Sequence, residues 1–150
     1  MVQGIHIIII DTSVLFSAAY SKNTQTFNIL EQIKKKANIF LFSPDFVGEE
    51  FKEKLKVKTN LTPNEINLLE SELPIFWIDK EDYKFKLNEA KELIADIKDI
   101  AIVACSLLLN KAPIWTFDVK HFDTKKLKQS GVKTLTNNDI RSILRNSPTY

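Results

Sequence analysis

The sequence predicts an α/β fold, a single three-layer α/β/α domain with a central parallel sheet. Three observations carry this. The strand-like segments are short and apolar on both faces instead of alternating, as in parallel strands covered on both sides. Segments with helical spacing separate them, so strand and helix alternate along the chain. The 150 residues, 44% hydrophobic and 27% charged, have the size and composition of one domain with its own core. Residues 1–150 are therefore read as one domain, with 146–150 as a frayed tail.

The elements follow in order. Ile5–Ile10 is the first strand, and Asp11 behind it suits the N-cap of a helix over Thr12–Tyr20. A polar connection, Tyr20–Thr24, leads to Thr26–Lys36, with Phe27, Leu30 and Ile33 at helical spacing. Ile39–Phe42 is the second strand. Ser43 is then expected as N-cap with Pro44 at the first helical position, and Val47, Phe51 and Leu55 make an i, i+4 stripe. Thr62-Pro63-Asn64-Glu65 reads as a capping box, with Leu61 stapled against Ile66.

Ile75–Ile78 is the third strand, and Asp79 or Lys80 opens a polar helix reaching about Ala95. Asp99 opens an apolar helix, Ile100–Leu109, whose face is Ile100, Val103, Ala104, Leu107 and Leu108. Ile114–Phe117, ending at Asp118, is the fourth strand. Val132–Leu135 carries Lys133 and Thr134 inside it and reads as an edge strand. Thr136 caps a last helix containing Ile140, Ile143 and Leu144.

Composition removes several function classes. Three glycines leave no material for a Gly-rich phosphate cradle. The lone Cys105 allows neither an internal disulfide nor a Cys/His zinc cluster, and points to a reducing, cytoplasmic compartment. No stretch reaches the roughly 18 apolar residues of a membrane span, and MVQGIHIIII lacks the basic start and small-residue cleavage site of a signal peptide. A net charge of +2 neither demands nor forbids a nucleic-acid partner.

The candidate chemistry is acidic. In an open α/β sheet ligands bind outside the carboxyl ends of the strands. Asp11 and Asp118 end strands, Asp99 opens the apolar helix, and Glu50 lies about two turns into the helix after Ile39–Phe42. Singly, each has a local alternative: Asp11, Asp99 and Asp118 suit caps and turns, and Glu50 suits a solvated helix face. Together at one sheet edge they would repel and hold protons unless a cation joined them. Oxygen-only donors suit Mg²⁺ or Mn²⁺, which activates water and orients a phosphodiester.

The segments Ile10-Asp11-Thr12-Ser13-Val14-Leu15, Ser43 to Phe51, Asp96-Ile97-Lys98-Asp99 and Trp115-Thr116-Phe117-Asp118-Val119-Lys120-His121-Phe122 resemble, in this order and spacing, the PIN domain of VapC-type toxins and other metal-dependent ribonucleases. The resemblance runs from Ile5 to about Leu135. It implies an endoribonuclease that hydrolyses RNA phosphodiester bonds by metal-activated water, using one or two Mg²⁺ or Mn²⁺ ions. It makes Asp11, Glu50, Asp99 and Asp118 the metal-binding and catalytic acids. Glu49 is the rival to Glu50, Asp96 a supporting or substitute ligand, and Thr116 and Ser13 hydroxyl partners of the acids. For a VapC-type toxin it further implies a protein antitoxin that blocks the site, and a homodimer.

Lys120, Lys125 and Lys126, close behind Asp118, are the best candidates for phosphate contacts, although a basic cluster is more often plain solvated surface. His121 is a weaker candidate of the same kind. Two other classes compete. A non-catalytic RNA-binding or assembly module of the same fold would keep the acids for structure. A phospho-accepting receiver-like domain would need two adjacent acids after the first strand, where this chain has Asp11 before Thr12.

Overall fold

The computed structural model describes residues 4–20 and 25–149. The connection expected at Tyr20–Thr24 lies, from residue 21 onward, outside them. Five parallel strands form one sheet in the order β3-β2-β1-β4-β5. They are β1 (His6–Ile10), β2 (Ile39–Pro44), β3 (Ile75–Ile78), β4 (Ile114–Trp115) and β5 (Thr134–Leu135). The helices are α1 (Thr12–Tyr20), α2 (Gln25–Ile33), α3 (Asp45–Lys58), α4 (Pro63–Glu72), α5 (Lys80–Tyr83), α6 (Leu87–Lys91), α7 (Ile97–Leu108), α8 (Lys125–Ser130) and α9 (Asn137–Arg145).

β1 lies at the centre of the sheet, where Ile8, Ile9 and Ile10 are all buried. It pairs with β2 through His6 to Ile9 and with β4 through Ile9 and Ile10. The chain winds outward from β1 to β3, then crosses back to β4. The strand order therefore reverses between β1 and β4, where such sheets open a crevice at their carboxyl ends. α7, with α5 and α6 packed on it, covers β1, β2 and β4. α3 covers β2 and β3 and carries α1 and α4. Helices thus flank the sheet on both sides, as the doubly apolar strands require.

Several local details depart from expectation. Ser43 does not cap α3: it is the buried fifth residue of β2, and its hydroxyl donates to the Ile10 carbonyl at 2.8 Å. Pro44 takes the N-cap position, and Asp45 Oδ1 accepts from the Phe46 backbone N–H at 2.8 Å. Asp45 Oδ2 also accepts from the Lys80 N–H at 3.1 Å, pinning the start of α5. The long polar helix up to Ala95 is broken into α5, a 3-10 turn (Lys84–Lys86) and α6. The tighter turns bend this segment so that all three pieces pack on α7 while Tyr83, Ala90 and Ile94 stay buried.

α7 begins at Ile97, three residues before the expected apolar run, because Asp96 caps it by accepting from the Lys98 and Asp99 N–H groups. The capping box at Thr62 and Glu65 is present, and Thr136 forms a second one with Asp139. α8, capped by Thr124, has no counterpart in the sequence expectation; it ends at Gly131, whose φ of +93° suits a residue without Cβ. At the end of the chain, within the stretch expected to fray, described residues 147–149 make contacts with the turn after α2. Lys36 Nζ donates to the Ser147 carbonyl at 3.0 Å, the Ala37 N–H donates to the Pro148 carbonyl at 3.4 Å, and Lys36 bridges Thr149. These bonds hold the tail against the turn after α2.

Phe51 is buried between α3 and α1, with its ring centroid 6.0 Å from that of Phe16. Phe51→Ala is expected to cost about 3–5 kcal/mol and lower Tm by roughly 10 °C. Leu68→Ala, on the exposed face of α4, should change stability by no more than about 0.5 kcal/mol. Thermal melts of the two variants check this.

Candidate metal centre

Asp11 leaves the end of β1 at the crevice and is buried. Its Oδ1 accepts from the Thr12 N–H at 2.9 Å. Its Oδ2 accepts from Ser13 Oγ at 3.1 Å and from Thr116 Oγ1 at 2.8 Å. Each hydroxyl is itself an acceptor: Thr116 Oγ1 takes the Asp118 N–H at 2.9 Å, and Ser13 Oγ takes the Phe117 N–H at 3.2 Å. With their lone pairs engaged by backbone donors, both hydroxyl protons are directed at Asp11. Two relays thus tie the loop beyond β4 to the end of β1. The Thr116 N–H still reaches the Leu135 carbonyl of β5 at 3.4 Å, but the Phe117 and Asp118 N–H groups serve the relays instead of a strand ladder, so the strand does not continue to Phe117.

Burial pushes the Asp11 carboxyl above its ordinary pKa. The bonds from Thr116, Thr12 and Ser13 pull it back, and the Asp118 charge adds to the rise. Asp99, in the first turn of α7, is also buried. Its carboxyl is pushed up to about 6, first by burial and then by the charges of Asp96 and Asp11, with His121 opposing and Asp118 adding a little. His121 Nδ1 stands 3.7 Å from Asp99 Oδ2. Asp118 is exposed at the head of the 3-10 turn Val119–Phe122. Glu50, in the second turn of α3, pairs with Lys98 Nζ at 2.5 Å.

Asp11, Ser13, Glu50, Asp96, Asp99 and Asp118 all line one cleft of about 240 Å³. Thr116 stands directly behind Asp11. Glu49 lies elsewhere: it faces Lys52 at 3.6 Å and lines a larger apolar cavity of about 790 Å³ beside the first. Lys120, in the 3-10 turn, and Lys125 and Lys126, in α8, do not line the acidic cleft; Lys54, Lys98 and His121 do. Lys54 and Lys98 are the residues sequence reasoning missed. The signal was present for Lys54, which stands four residues after Glu50 on the same face of α3, and its ammonium sits 4.3 Å from the centre of the Phe16 ring.

A family model described as the PIN domain matches residues 9–145. The chain belongs to the PIN domain family. No curated protein matches it in sequence. Among solved structures it is similar to VapBC2 from Rickettsia felis bound to a DNA fragment from their promoter, at 18% identity and a TM-score of 0.64, covering 87% of this chain and 98% of that one. It is similar to VapBC-1 from nontypeable Haemophilus influenzae at 18% identity and a TM-score of 0.63, covering 88% and 98%. FitAB bound to the IR36 DNA fragment matches at 16% identity and a TM-score of 0.51, covering 87% and 94%. At these identities the likeness is one of fold.

PIN domains generally use divalent metals, and the donors in this cleft fit one. They are hard carboxylate oxygens, and the two buried acids carry the excess proton affinity that a cation relieves. Among the described residues, however, no three acids, histidines or cysteines are drawn closely around a common point. The donors share the cleft without converging. No helix among the described residues is long and apolar enough to cross a membrane.

Asp99 generates a pH prediction. Its folded-state pKa of about 6 lies above the ordinary aspartate range, so the folded protein binds the extra proton. That stability is fully present below that range and is lost as pH rises through about 6. Asp99→Asn should therefore raise Tm of the metal-free protein at pH 7.5, by roughly 2–4 °C per kcal/mol relieved, and have little effect at pH 4. Melts of both proteins across this range check the sign. Thr116→Val should strand the Asp118 N–H and deprive Asp11 of a donor, costing about 1–3 kcal/mol. Thr116→Ser should retain most of the stability, as denaturant titration would measure.

Proposed function

We propose that this PIN domain is a divalent-metal-dependent endoribonuclease that hydrolyses RNA phosphodiester bonds. The single observation that carries the reading is the meeting of Asp11, Glu50, Asp99 and Asp118, from four separate segments, in one cleft at the carboxyl edge of the sheet. Burial and neighbouring negative charge favour protonation of Asp11 and Asp99, a cost that a cation-binding function accounts for and a capping function does not. Bound Mg²⁺ or Mn²⁺, as one or two ions, supplies Lewis-acid activation of water and neutralises charge on the phosphate.

The residues then divide the work. Asp11, held by three hydrogen bonds, is the rigid donor, and Thr116 and Ser13 orient it. Asp99, buried beside Asp11, would hold the cation from the first turn of α7. Glu50 and Asp118 complete the set from the more open side, with Asp96 in support as the cap of α7. Lys54 and Lys98 at the mouth offer ammonium groups to phosphate oxygens; Lys120, Lys125 and Lys126 belong to the wider approach of the strand. Water adds to phosphorus and the bond to O3′ breaks, leaving a 5′-phosphate and a 3′-hydroxyl.

Likeness to the VapBC structures supports a biological setting of the same kind. We infer a toxin whose cognate antitoxin protein blocks this cleft, acting as a homodimer in the cytoplasm, where the unpaired Cys105 stays reduced.

The test is cleavage of mixed structured and single-stranded RNA, with matched DNA alongside, in Mn²⁺, Mg²⁺ and EDTA. RNA cleavage is expected with either metal and none in EDTA. Asp11→Asn and Asp118→Asn should each lose at least about 100-fold, the upper range for losing even an indirect partner of a metal. Metal-independent cleavage, or full activity in both variants, would reject the reading. Faster cleavage of the DNA would change the substrate.

A further inference from the structure

Before any phosphate enters the acidic cleft, the Lys98 ammonium is already engaged by one of the four acids. Lys98 lies in the first turn of α7, between Ile97, which is 84% exposed, and the buried Asp99. Its Nζ stands 2.5 Å from Glu50 Oε2, a short charge-assisted contact made by a side chain 65% exposed to one only 18% exposed. The backbone N–H of the same residue donates to Asp96, so the main chain of Lys98 is fixed while its long side chain spans the cleft from α7 to α3. Lys54, the other lysine in the cleft, lies instead over the Phe16 ring.

The ion pair has a consequence for metal loading. Glu50 is one of the four acids, yet its carboxylate is engaged by an ammonium, and among the described residues no three donors converge as the side chains stand. Two cations held against one carboxylate repel each other at short range. A divalent ion and the Lys98 ammonium therefore compete for Glu50.

We propose that Lys98 is a positioning residue of the metal centre, whose ammonium holds Glu50 in the metal-free protein and is displaced when a divalent cation takes that carboxylate. The inference rests on the metal reading above. Lys98 spares Glu50 an unpaired charge before loading and keeps it aimed into the cleft. Once displaced, the ammonium has somewhere to go, because Lys98 lines both the acidic cleft and the larger cavity beside it.

The test is Mn²⁺ binding to the full chain, measured by titration calorimetry at low salt. The proteins are wild type, Lys98→Met, Lys98→Arg, Lys54→Met, Glu50→Gln and the double variant Lys98→Met with Glu50→Gln. Removing the competitor should tighten Mn²⁺ binding about fivefold, the worth of a strong exposed ion pair. Lys54→Met should change it less than about twofold, and Lys98→Arg should stay near wild type, since generic loss of charge is not the cause. In the Glu50→Gln background the gain from Lys98→Met should shrink to the Lys54→Met level. Equal affinity in wild type and Lys98→Met, or a gain that persists without Glu50, overturns the exchange and leaves the metal site standing. Absence of Mn²⁺ binding in every variant, Lys98→Met included, overturns both.

Discussion

The site depends on one buried carboxylate held between two strands that are far apart in sequence. Asp11 stands where the strand order reverses, and its Oδ2 receives hydroxyls from Ser13 on its own side and Thr116 on the other. Because those hydroxyls also accept the Phe117 and Asp118 N–H groups, the path of the loop beyond β4 is set by Asp11. The position of Asp118 relative to Asp11 is therefore a property of a hydrogen-bond network, and its cooperativity makes it stiffer than any single contact would.

Around this anchor the charges are arranged in opposition. Burial and the charges of neighbouring acids raise the proton affinity of Asp11 and Asp99, while Lys54, Lys98 and His121 line the same cleft. The basic groups are exposed or rest on an aromatic ring, and the acids at the back are buried. Local stability is thereby set against cation affinity, a trade that functional sites commonly make. The larger cavity beside the cleft shares Phe46 and Lys98 with it.

Much of the fold was legible because apolar strands and helical stripes are local patterns. β3 lies where expected, and the capping box of α4 is formed by Thr62 and Glu65. What escaped were competitions between local and distant partners. Ser43 looked like a cap, but its hydroxyl finds the Ile10 carbonyl across the sheet. The fourth strand looked four residues long, but its end is diverted to Ser13 and Thr116. The contact of the Ser147 carbonyl with Lys36, more than a hundred residues earlier, is another such distant pairing. α8 is short and polar, and packing of Leu127 and the Thr124 cap sustain it where periodicity has too few residues to speak.

The same division applies to the acids. Residue type and spacing made Asp11, Asp99 and Asp118 candidates for one sheet edge, because strand ends and helix starts lie there, with Glu50 or Glu49 about two turns into α3. Tertiary structure alone decided that Glu50 and not Glu49 lines the acidic cleft, since one residue is about 100° of rotation on a helix and sends the side chain into a different cavity. It alone decided that Asp99 is buried enough to hold its proton up to about 6, and that the lysines at hand are Lys54 and Lys98. Burial and pairing across distant segments are sums over neighbours brought together by the fold, and a linear sequence carries those neighbours without stating which of them meet.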